Sequence, residues 1–208
     1  KVLVEFLYSI KLLDRPDIDN NSVLLINLIV STLPLIIIGY LASKFLDYDS
    51  YILLLIIGIT SIAFGIVLFL ADSFCLRIKS LNALSYSTSF LIGAFQCLAL
   101  IPGVSRSGAV ITIMRYFGFQ RKFAVFYSNL LSIPAISAAT SYLIIISDKS
   151  FLNSSTLNFY SFVIFILSFL FSIIFIYFFV TWIKKFSFFA FAIYRIIFGL
   201  GVIYIVFA

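Results

Sequence analysis

Residues 99–110 read ALIPGVSRSGAV and interrupt a chain that is otherwise strongly apolar. Of the 208 residues, 63% are hydrophobic and 11% are charged, whereas a soluble domain carries about 25% charged residues. The composition therefore predicts an all-α integral membrane protein, a polytopic bundle whose helices satisfy their own backbone hydrogen bonds in lipid. No polar segment is long enough to separate two domains, so residues 1–208 are expected to form one membrane domain.

Five stretches are long and apolar enough to span a membrane, which takes about 20 residues. They are 22–43, 51–71, 123–147, 159–183 and 188–208. Residues 85–119 differ, because Pro102, Gly103 and Gly108 disfavour a continuous helix there. Irregular backbone at membrane depth survives only where protein or a wet cavity surrounds it. The sequence therefore predicts a re-entrant helix–loop–helix, in which two short helices meet at a loop and leave the membrane where they entered.

The positive charges favour the same topology. If the N-terminal tail is cytoplasmic and 85–119 is re-entrant, ten basic residues face inward and two face outward, as the positive-inside rule requires. The inner group is Lys1, Lys11, Arg15, Arg77, Lys79, Arg115, Arg121, Lys122, Lys184 and Lys185, and the outer group is Lys44 and Lys149. The C-terminus is then on the outer face. Orientation thus explains the net charge of +6, which gives no indication of nucleic-acid binding.

The central loop carries a pattern that is typical of oxyanion sites. A guanidinium inside a membrane protein is costly unless it is paired or hydrated, and the planar fork of Arg106 matches phosphate oxygens. Ser105 and Ser107 offer hydroxyls that can hold or attack phosphorus. Gly103 and Gly108 let the backbone and its N–H groups approach an anion. The alternative is that Arg106 only caps a helix or extends to the membrane interface.

Two more residues are candidates for substrate binding: Gln96 before the loop and Arg195 in the last span. Each has a structural alternative, as a buried amide or as an arginine paired with a carbonyl. The sequence has no histidine, which excludes lipid phosphatases with a histidine nucleophile. Cys75 and Cys97 form neither a metal-binding nor a disulfide pattern, and we predict no metal ligands in this chain.

Residues 92–109, IGAFQCLALIPGVSRSGA, resemble the second signature of the undecaprenyl-diphosphate phosphatases, the bacitracin-resistance family. Residues 128–135, SNLLSIPA, and 186–195, FSFFAFAIYR, resemble later helices of that family. The resemblance implies two re-entrant elements related by an inverted repeat, of which this chain holds the second. It also implies that Arg106 is the signature arginine, flanked by the signature serines at 105 and 107.

The implied activity is hydrolysis of undecaprenyl diphosphate at the outer face of the bacterial plasma membrane, which recycles the lipid carrier of cell-wall synthesis. The implied cofactor is a divalent cation, Mg²⁺ or Ca²⁺, and the implied partners are an isoprenoid diphosphate lipid and membrane lipid. The family's glutamate-rich first signature is absent, and the only methionine is Met114. We therefore expect a fragment whose metal ligands lie upstream of Lys1 and which is inactive alone. Gly199 and Gly201 would permit close helix packing, and a homodimer is possible.

Three alternatives remain open. Val110, Phe126 and Asn129 depart from the residues usual in the family, which indicates a divergent and catalytically impaired copy as one alternative. Binding or transport of a lipid phosphate without hydrolysis is another, because broken helices in transporters also bind anions. A structural membrane subunit is the third, and it predicts that Arg106→Ala leaves function intact.

Overall fold

The computed structural model describes residues 20–43, 49–75, 78–146, 159–185 and 187–207. They form seven α-helices: α1 Asn20–Ala42, α2 Ser50–Phe74, α3 Tyr86–Gln96, α4 Arg106–Tyr116, α5 Arg121–Ile146, α6 Phe159–Lys185 and α7 Phe189–Phe207. Two short 3-10 turns, Leu81–Ala83 and Cys97–Leu100, precede α3 and follow it. No β-strand occurs in these ranges, which confirms the all-α prediction. The N-terminal tail, with its predicted inner charges, lies outside the described residues, as do Lys44, Arg77 and Lys149.

Five of these helices are long and apolar enough to cross a membrane: α1, α2, α5, α6 and α7. Each overlaps one of the five predicted spans, so the prediction of a polytopic helical membrane protein is confirmed. The predicted and observed ends differ most in α2, because the predicted span ends at residue 71 and the helix continues to Phe74. The extra turn carries Asp72, whose charge is accommodated by the ion pairs described below.

Helices α2 and α7 pack antiparallel through glycines. A Cβ on Gly199 would lie 2.6 Å from Gly58 O, and one on Gly65 would lie 3.2 Å from a backbone oxygen of α7. Glycine therefore lets the two backbones approach closely, a common way for helices to associate in a membrane. Gly201 was predicted to share this role, but a Cβ there would have nothing within 4 Å. The packing carries Arg195, one turn before Gly199, against α2.

Helices α3 and α4 form a hairpin whose two ends meet. Lys79 N donates to Gly118 O at 3.0 Å, and Gln120 N donates to Lys79 O at 3.1 Å. The tip of the hairpin contacts Ile57 of α2. At 1.5 Å per residue, Ile57 lies roughly 10 Å from the Ser50 end of α2 and roughly 25 Å from the other end. The chain therefore enters and leaves the hairpin at one level and reaches far along α2 between these points.

Buried polar groups join the hairpin to α1 and α5. Ser31 Oγ donates to Ser89 O at 2.7 Å and lies 2.7 Å from Tyr127 Oη. Ser89 Oγ donates to Asn27 Oδ1 at 2.8 Å. All four residues are buried. Because hydrogen bonds between helices link them within an apolar interior, this network fixes α3 against its neighbours.

An ion cluster ties the opposite side of the hairpin to α2 and α5. Asp72 accepts from Arg115 Nε at 2.9 Å and from Arg121 Nη2 at 2.7 Å, and Phe188 N donates to its Oδ2 at 3.3 Å. The side chains of Arg115 and Asp72 are 0% and 3% exposed. Removing one partner from such a buried pair costs about 3–5 kcal/mol. Both arginines belong to the group expected on the inner side, and the structure pairs them with this carboxylate.

Candidate functional site

The loop of residues 101–105, hereafter the 101–105 loop, connects the second 3-10 turn to α4 and rests on α2. Gly103 has φ +87°, a conformation that glycine adopts at little cost. A Cβ at this position would also lie 2.7 Å from Ile57 Cα. A residue with a side chain therefore meets both backbone strain and a clash. Gly103 thus permits a close contact between the loop and α2.

Two successive carbonyl groups of this loop accept hydrogen bonds from side chains of α2 and α7. Thr60 Oγ1 lies 2.7 Å from Pro102 O and 2.7 Å from Ile56 O of its own helix, so the two carbonyls share its one hydroxyl proton. Arg195 Nη2 donates to Gly103 O at 2.6 Å. Both carbonyls are therefore turned toward α2 and α7. Arg195 thus contacts the loop at Gly103, although the two residues are far apart in sequence. Its contact there is with a carbonyl, which is the structural alternative that the sequence left open.

Ser105 and Gly108 form the beginning of α4. Ser105 is the N-cap residue, and its Oγ accepts from Gly108 N at 3.1 Å, a standard way to satisfy a first-turn N–H group. A Cβ on Gly108 would lie 3.0 Å from Arg195 Nη1 and 3.2 Å from Ser105 Cβ. Gly108 therefore gives its N–H to the cap rather than to an anion, and its missing side chain makes room for Arg195.

Arg106 and Ser107 are the first two residues of α4, and both are partly exposed. Arg106 Nη1 donates to Leu131 O of α5 at 3.3 Å. The guanidinium also lines a cavity of about 540 Å³ between α1 and α5. Arg106 thus extends from the loop toward α5, on a different side from the contact that Arg195 makes.

Three buried side chains near these elements have polar atoms without a hydrogen-bond partner among the described residues. They are both amide atoms of Gln96, the hydroxyl of Ser128 and Arg195 Nη1. Gln96 is fully buried and Arg195 is 6% exposed. Unpaired buried polar atoms are uncommon and call for an explanation such as a bound ligand or ion. Arg195 Nη1 and Gln96 were both candidates from the sequence, whereas Ser128 was not.

The electrostatics of the site suit an anion. Neither Arg106 nor Arg195 has an ion-pair partner in the described ranges, where the only carboxylate that forms such pairs is Asp72. The same ranges contain no group of three or more His, Cys, Asp or Glu residues that could hold a metal. Two guanidiniums and neutral donors do not fit Mg²⁺ or Ca²⁺, which take oxygen ligands that include carboxylates.

Sequence analysis missed Thr60, which supports the loop, and Asp72, which secures the base of the hairpin. A threonine in an apolar helix gives little signal, because its hydroxyl usually bonds to a carbonyl one turn earlier in the same helix. Asp72 stood at the end of a predicted span, where a charge is ordinary. Its partners, Arg115 and Arg121, could be inferred from the sequence only if α4 were known to return to the end of α2 that carries Asp72.

Comparison with known proteins agrees with the resemblance of the motifs. A family model described as bacitracin resistance protein BacA matches residues 2–201. The chain belongs to the BacA family. An undecaprenyl-diphosphatase of Pelagibacter ubique is 41% identical over 187 residues, which are 87% of this chain and 70% of that protein. Undecaprenyl-diphosphatases of Leptospira borgpetersenii and Fusobacterium nucleatum are 35% and 37% identical over 86% of this chain, covering 65% and 68% of those proteins.

The chain thus spans about two thirds of the length of the curated relatives it matches. Within this BacA-family segment, the 101–105 loop and α4 provide a cationic, hydrogen-bonding site, and α2 and α7 support it from behind. The described residues offer donors for phosphate oxygens and no set of metal ligands.

Proposed function

We propose that this chain carries the diphosphate-binding part of an undecaprenyl-diphosphate phosphatase. The observation that carries the proposal is that two arginines without carboxylate partners in the described ranges are held at the beginning of α4. Arg106 is the first residue of that helix, and Arg195 Nη2 donates to Gly103 O just before it. Membership of the BacA family and the names of the relatives support the choice of substrate.

The substrate's phosphates would lie at the first turn of α4. The first N–H groups of a helix have no partner within it, and here Ser105 satisfies those of Gly108 and Ala109. The N–H groups of Arg106 and Ser107 remain for a phosphate oxygen, and the helix N-terminus favours its negative charge. The Arg106 guanidinium would donate to two further oxygens in a bidentate contact, and Nη1 of Arg195 would donate to another.

In the proposed reaction, the anhydride bond between the two phosphates breaks. An oxygen nucleophile adds to the terminal phosphorus, and undecaprenyl phosphate leaves. The nucleophile is water, which gives inorganic phosphate directly, or Ser105 or Ser107, which gives a phosphoserine that water must then hydrolyse to phosphate. Ser105 Oγ already serves the helix cap. Phosphoryl transfer depends mostly on positioning and electrostatic stabilisation, which the two arginines would supply. The divalent cation implied by the family has no fitting ligand set in the described residues, so we assign it no step here.

We further propose that the hairpin is re-entrant and that the site faces the outer side of the plasma membrane. The meeting of its ends at Lys79 and Gln120 supports the first point. Support for the second comes from depth, because the loop contacts α2 nearer to its Ser50 end, which the charge distribution assigns to the outside. Release of the product there would return the lipid carrier to cell-wall synthesis.

The test is phosphate release from undecaprenyl diphosphate by the chain extended at its N-terminus with the family's glutamate-rich signature. Arg106→Lys keeps the charge but loses the bidentate fork. We expect its activity to fall at least about tenfold, the effect of losing roughly 1.5–3 kcal/mol of charge-assisted hydrogen bonding. Activity within about twofold of the parent would rule out the phosphate clamp. Lipid binding without any phosphate release would instead favour transport or an impaired copy.

A further inference from the structure

An apolar cavity that the candidate site does not use lies between α2 and the hairpin of α3 and α4. This hairpin cavity has a volume of about 460 Å³, within the usual size range of ligand pockets, roughly 300–1,000 Å³. Helix α2 contributes Val67 and Phe74 to its lining, Cys75 lies at the end of that helix, and the hairpin contributes Phe95 and Tyr116, among others. No charged residue is among those that line it.

The hairpin cavity opens toward lipid along the half of α2 that is remote from Ser50. Val67, Phe74 and Tyr116 at its edges are 42%, 80% and 67% exposed. From Val67 to Cys75 the chain covers roughly 12 Å at 1.5 Å per residue. On the orientation proposed above, this stretch belongs to the inner half of the membrane. An acyl chain in the cavity would therefore extend from the inner surface toward the middle of the membrane.

Basic residues lie at the inner end of the hairpin cavity. Lys79 N donates to Gly118 O at 3.0 Å, which places Lys79 beside a residue only two positions after Tyr116. Arg121 Nη2 lies 2.7 Å from the carboxylate of Asp72, and Asp72 directly follows one of the lining residues of α2. The cavity thus ends where the chain segments that carry these cations meet.

The described residues at this end carry an excess of positive charge. Arg115 and Arg121 share the carboxylate of Asp72, whereas the exposed Lys79 and Lys122 have no carboxylate partner in the described ranges. The two ammonium groups instead lie over phenylalanine rings, 5.9 Å and 4.7 Å from the ring centroids. Four cations therefore accompany one carboxylate here.

The first turn of α5 adds to this imbalance. It begins with Arg121 and Lys122 and contains no acidic residue. The helix macrodipole favours negative charge at this end and opposes such cations, so a bound anion would offset both the dipole and the side-chain charges. The positive-inside rule accounts for basic residues on this side of the membrane, but not for their position at the end of an apolar cavity.

We propose that the hairpin cavity and the adjacent lysines bind an anionic phospholipid of the inner leaflet. An acyl chain would occupy the cavity, and the headgroup phosphate would lie at Lys79 and Lys122. Basic pockets between spanning helices on the cytoplasmic side bind the headgroups of anionic lipids. This place differs from the proposed diphosphate site, because Arg106 begins α4 and Tyr116 ends it, roughly 15 Å away. The orientation decides only the leaflet, and the proposed phosphatase activity is not needed.

Cys75 provides a native thiol in the cavity for testing this proposal. The purified 208-residue chain in detergent is alkylated with N-ethylmaleimide, and the modified peptides are followed by mass spectrometry at increasing dioleoyl phosphatidylglycerol. At a lipid concentration about ten times Kd, alkylation of Cys75 should slow about tenfold, since only the unoccupied fraction reacts. Cys97 is buried, so its lack of reaction reports that the fold is intact.

A matched lipid and matched variants separate charge from chain. Dioleoyl phosphatidylethanolamine has the same chains and no net charge, and it should need at least about fivefold more lipid for equal protection, since one lysine near a headgroup contributes a factor of about five. Lys79→Gln with Lys122→Gln should require about 25-fold more phosphatidylglycerol than the parent. The corresponding double arginine variant keeps both charges and should bind as the parent does. Val67→Phe fills the cavity and should weaken protection by both phospholipids alike.

Several results would overturn the proposal. Equal protection by the two phospholipids, unchanged in the double glutamine variant, would mean that the cavity accepts acyl chains regardless of charge. Protection by glycerol 1-phosphate would show that an anion acts without the cavity. Stronger protection by undecaprenyl phosphate than by phosphatidylglycerol would assign the cavity to the substrate's tail. A Cys75 thiol that does not react before any phospholipid is added would show that the cavity is closed.

Discussion

Thr60 and Arg195 show how single side chains can orient a loop from the side of α2 and α7. The Thr60 hydroxyl is within hydrogen-bond distance of Pro102 O, which shares its proton with Ile56 O, and Arg195 Nη2 donates to Gly103 O. Turning these carbonyls toward α2 and α7 leaves the opposite side of the loop to the N–H groups at the start of α4. Preorganised donors of this kind need little rearrangement when an anion arrives. The affinity of the site for phosphate should therefore depend on residues behind the loop.

Thr60→Val tests this dependence, because it removes the hydroxyl and keeps the shape. A hydrogen bond contributes about 0.5–1.5 kcal/mol net, so we expect undecaprenyl phosphate to bind the variant about two- to tenfold more weakly, as measured by native mass spectrometry. Thr60→Ser should bind normally. Thr32→Val is the matched control, since the Thr32 hydroxyl donates to Leu28 O within its own helix. Equal losses in Thr60→Val and Thr32→Val would contradict a role specific to the loop.

At this scale, the structure reveals the contacts of the candidate residues, whose functional roles stay predictions. An arginine and two serines between glycines in an apolar chain indicated an anion site, and Arg106 and Ser107 do begin a helix. The sequence did not reveal that Ser105 caps α4 or that Gly108 packs against Arg195, and the second contact depends on the position of α4 relative to α7. That position follows from tertiary packing, which hydrophobic periodicity does not encode.

Among the elements, the α3–α4 hairpin bears most directly on the membrane topology. Its ends hydrogen-bond to each other at Lys79 and Gln120, which supports the proposed re-entrant course. The sequence predicts the same course from Pro102, the glycines and the distribution of charge. It could not reveal how the ends are joined, since the pairing of Lys79 with Phe119 is an isolated bridge with no repeating pattern around it.

We predict that Ser80→Cys and Lys122→Cys, at the two ends of the hairpin, both resist an impermeant thiol reagent added to intact cells. Ser50→Cys, at the other end of α2, should react, because Ser50 is exposed and assigned to the outer side. Cys75 and Cys97 are first replaced by serine, and permeabilised cells give the total labelling. Labelling of only one of the two hairpin positions would mean that 85–119 crosses the membrane. Labelling of both, with Ser50→Cys protected, would invert the orientation.

At the scale of the whole molecule, the described residues form five helices long enough to span a membrane, with the hairpin packed among them. Span lengths were predictable because lipid demands about 20 apolar residues per crossing. The pairing of α2 with α7 was not, because nearly every face of these helices is apolar and the sequence cannot indicate which face meets which. From the sequence, only Gly199 and Gly201 were expected to permit close packing, whereas the structure also uses Gly58 and Gly65 and leaves Gly201 without a neighbour within 4 Å. The packed structure thus decides which glycine is used.

The last prediction concerns the metal and the 208-residue chain as a whole. The sequence contains eight acidic residues, of which Asp49 and Asp72 lie in the described ranges. Asp72 is bound by two arginines, and Asp49 precedes α2 at the end remote from it. A hard divalent cation needs several oxygen ligands that include carboxylates. We therefore expect that the purified chain neither binds Mg²⁺ or Ca²⁺ tightly in calorimetry nor releases phosphate from undecaprenyl diphosphate.

Extending it with the glutamate-rich signature should restore both, and glutamate-to-glutamine changes in that extension should abolish both again. Robust turnover by the 208-residue chain with added Mg²⁺ would show instead that Ser105, Ser107 or a loop aspartate performs the acid–base chemistry.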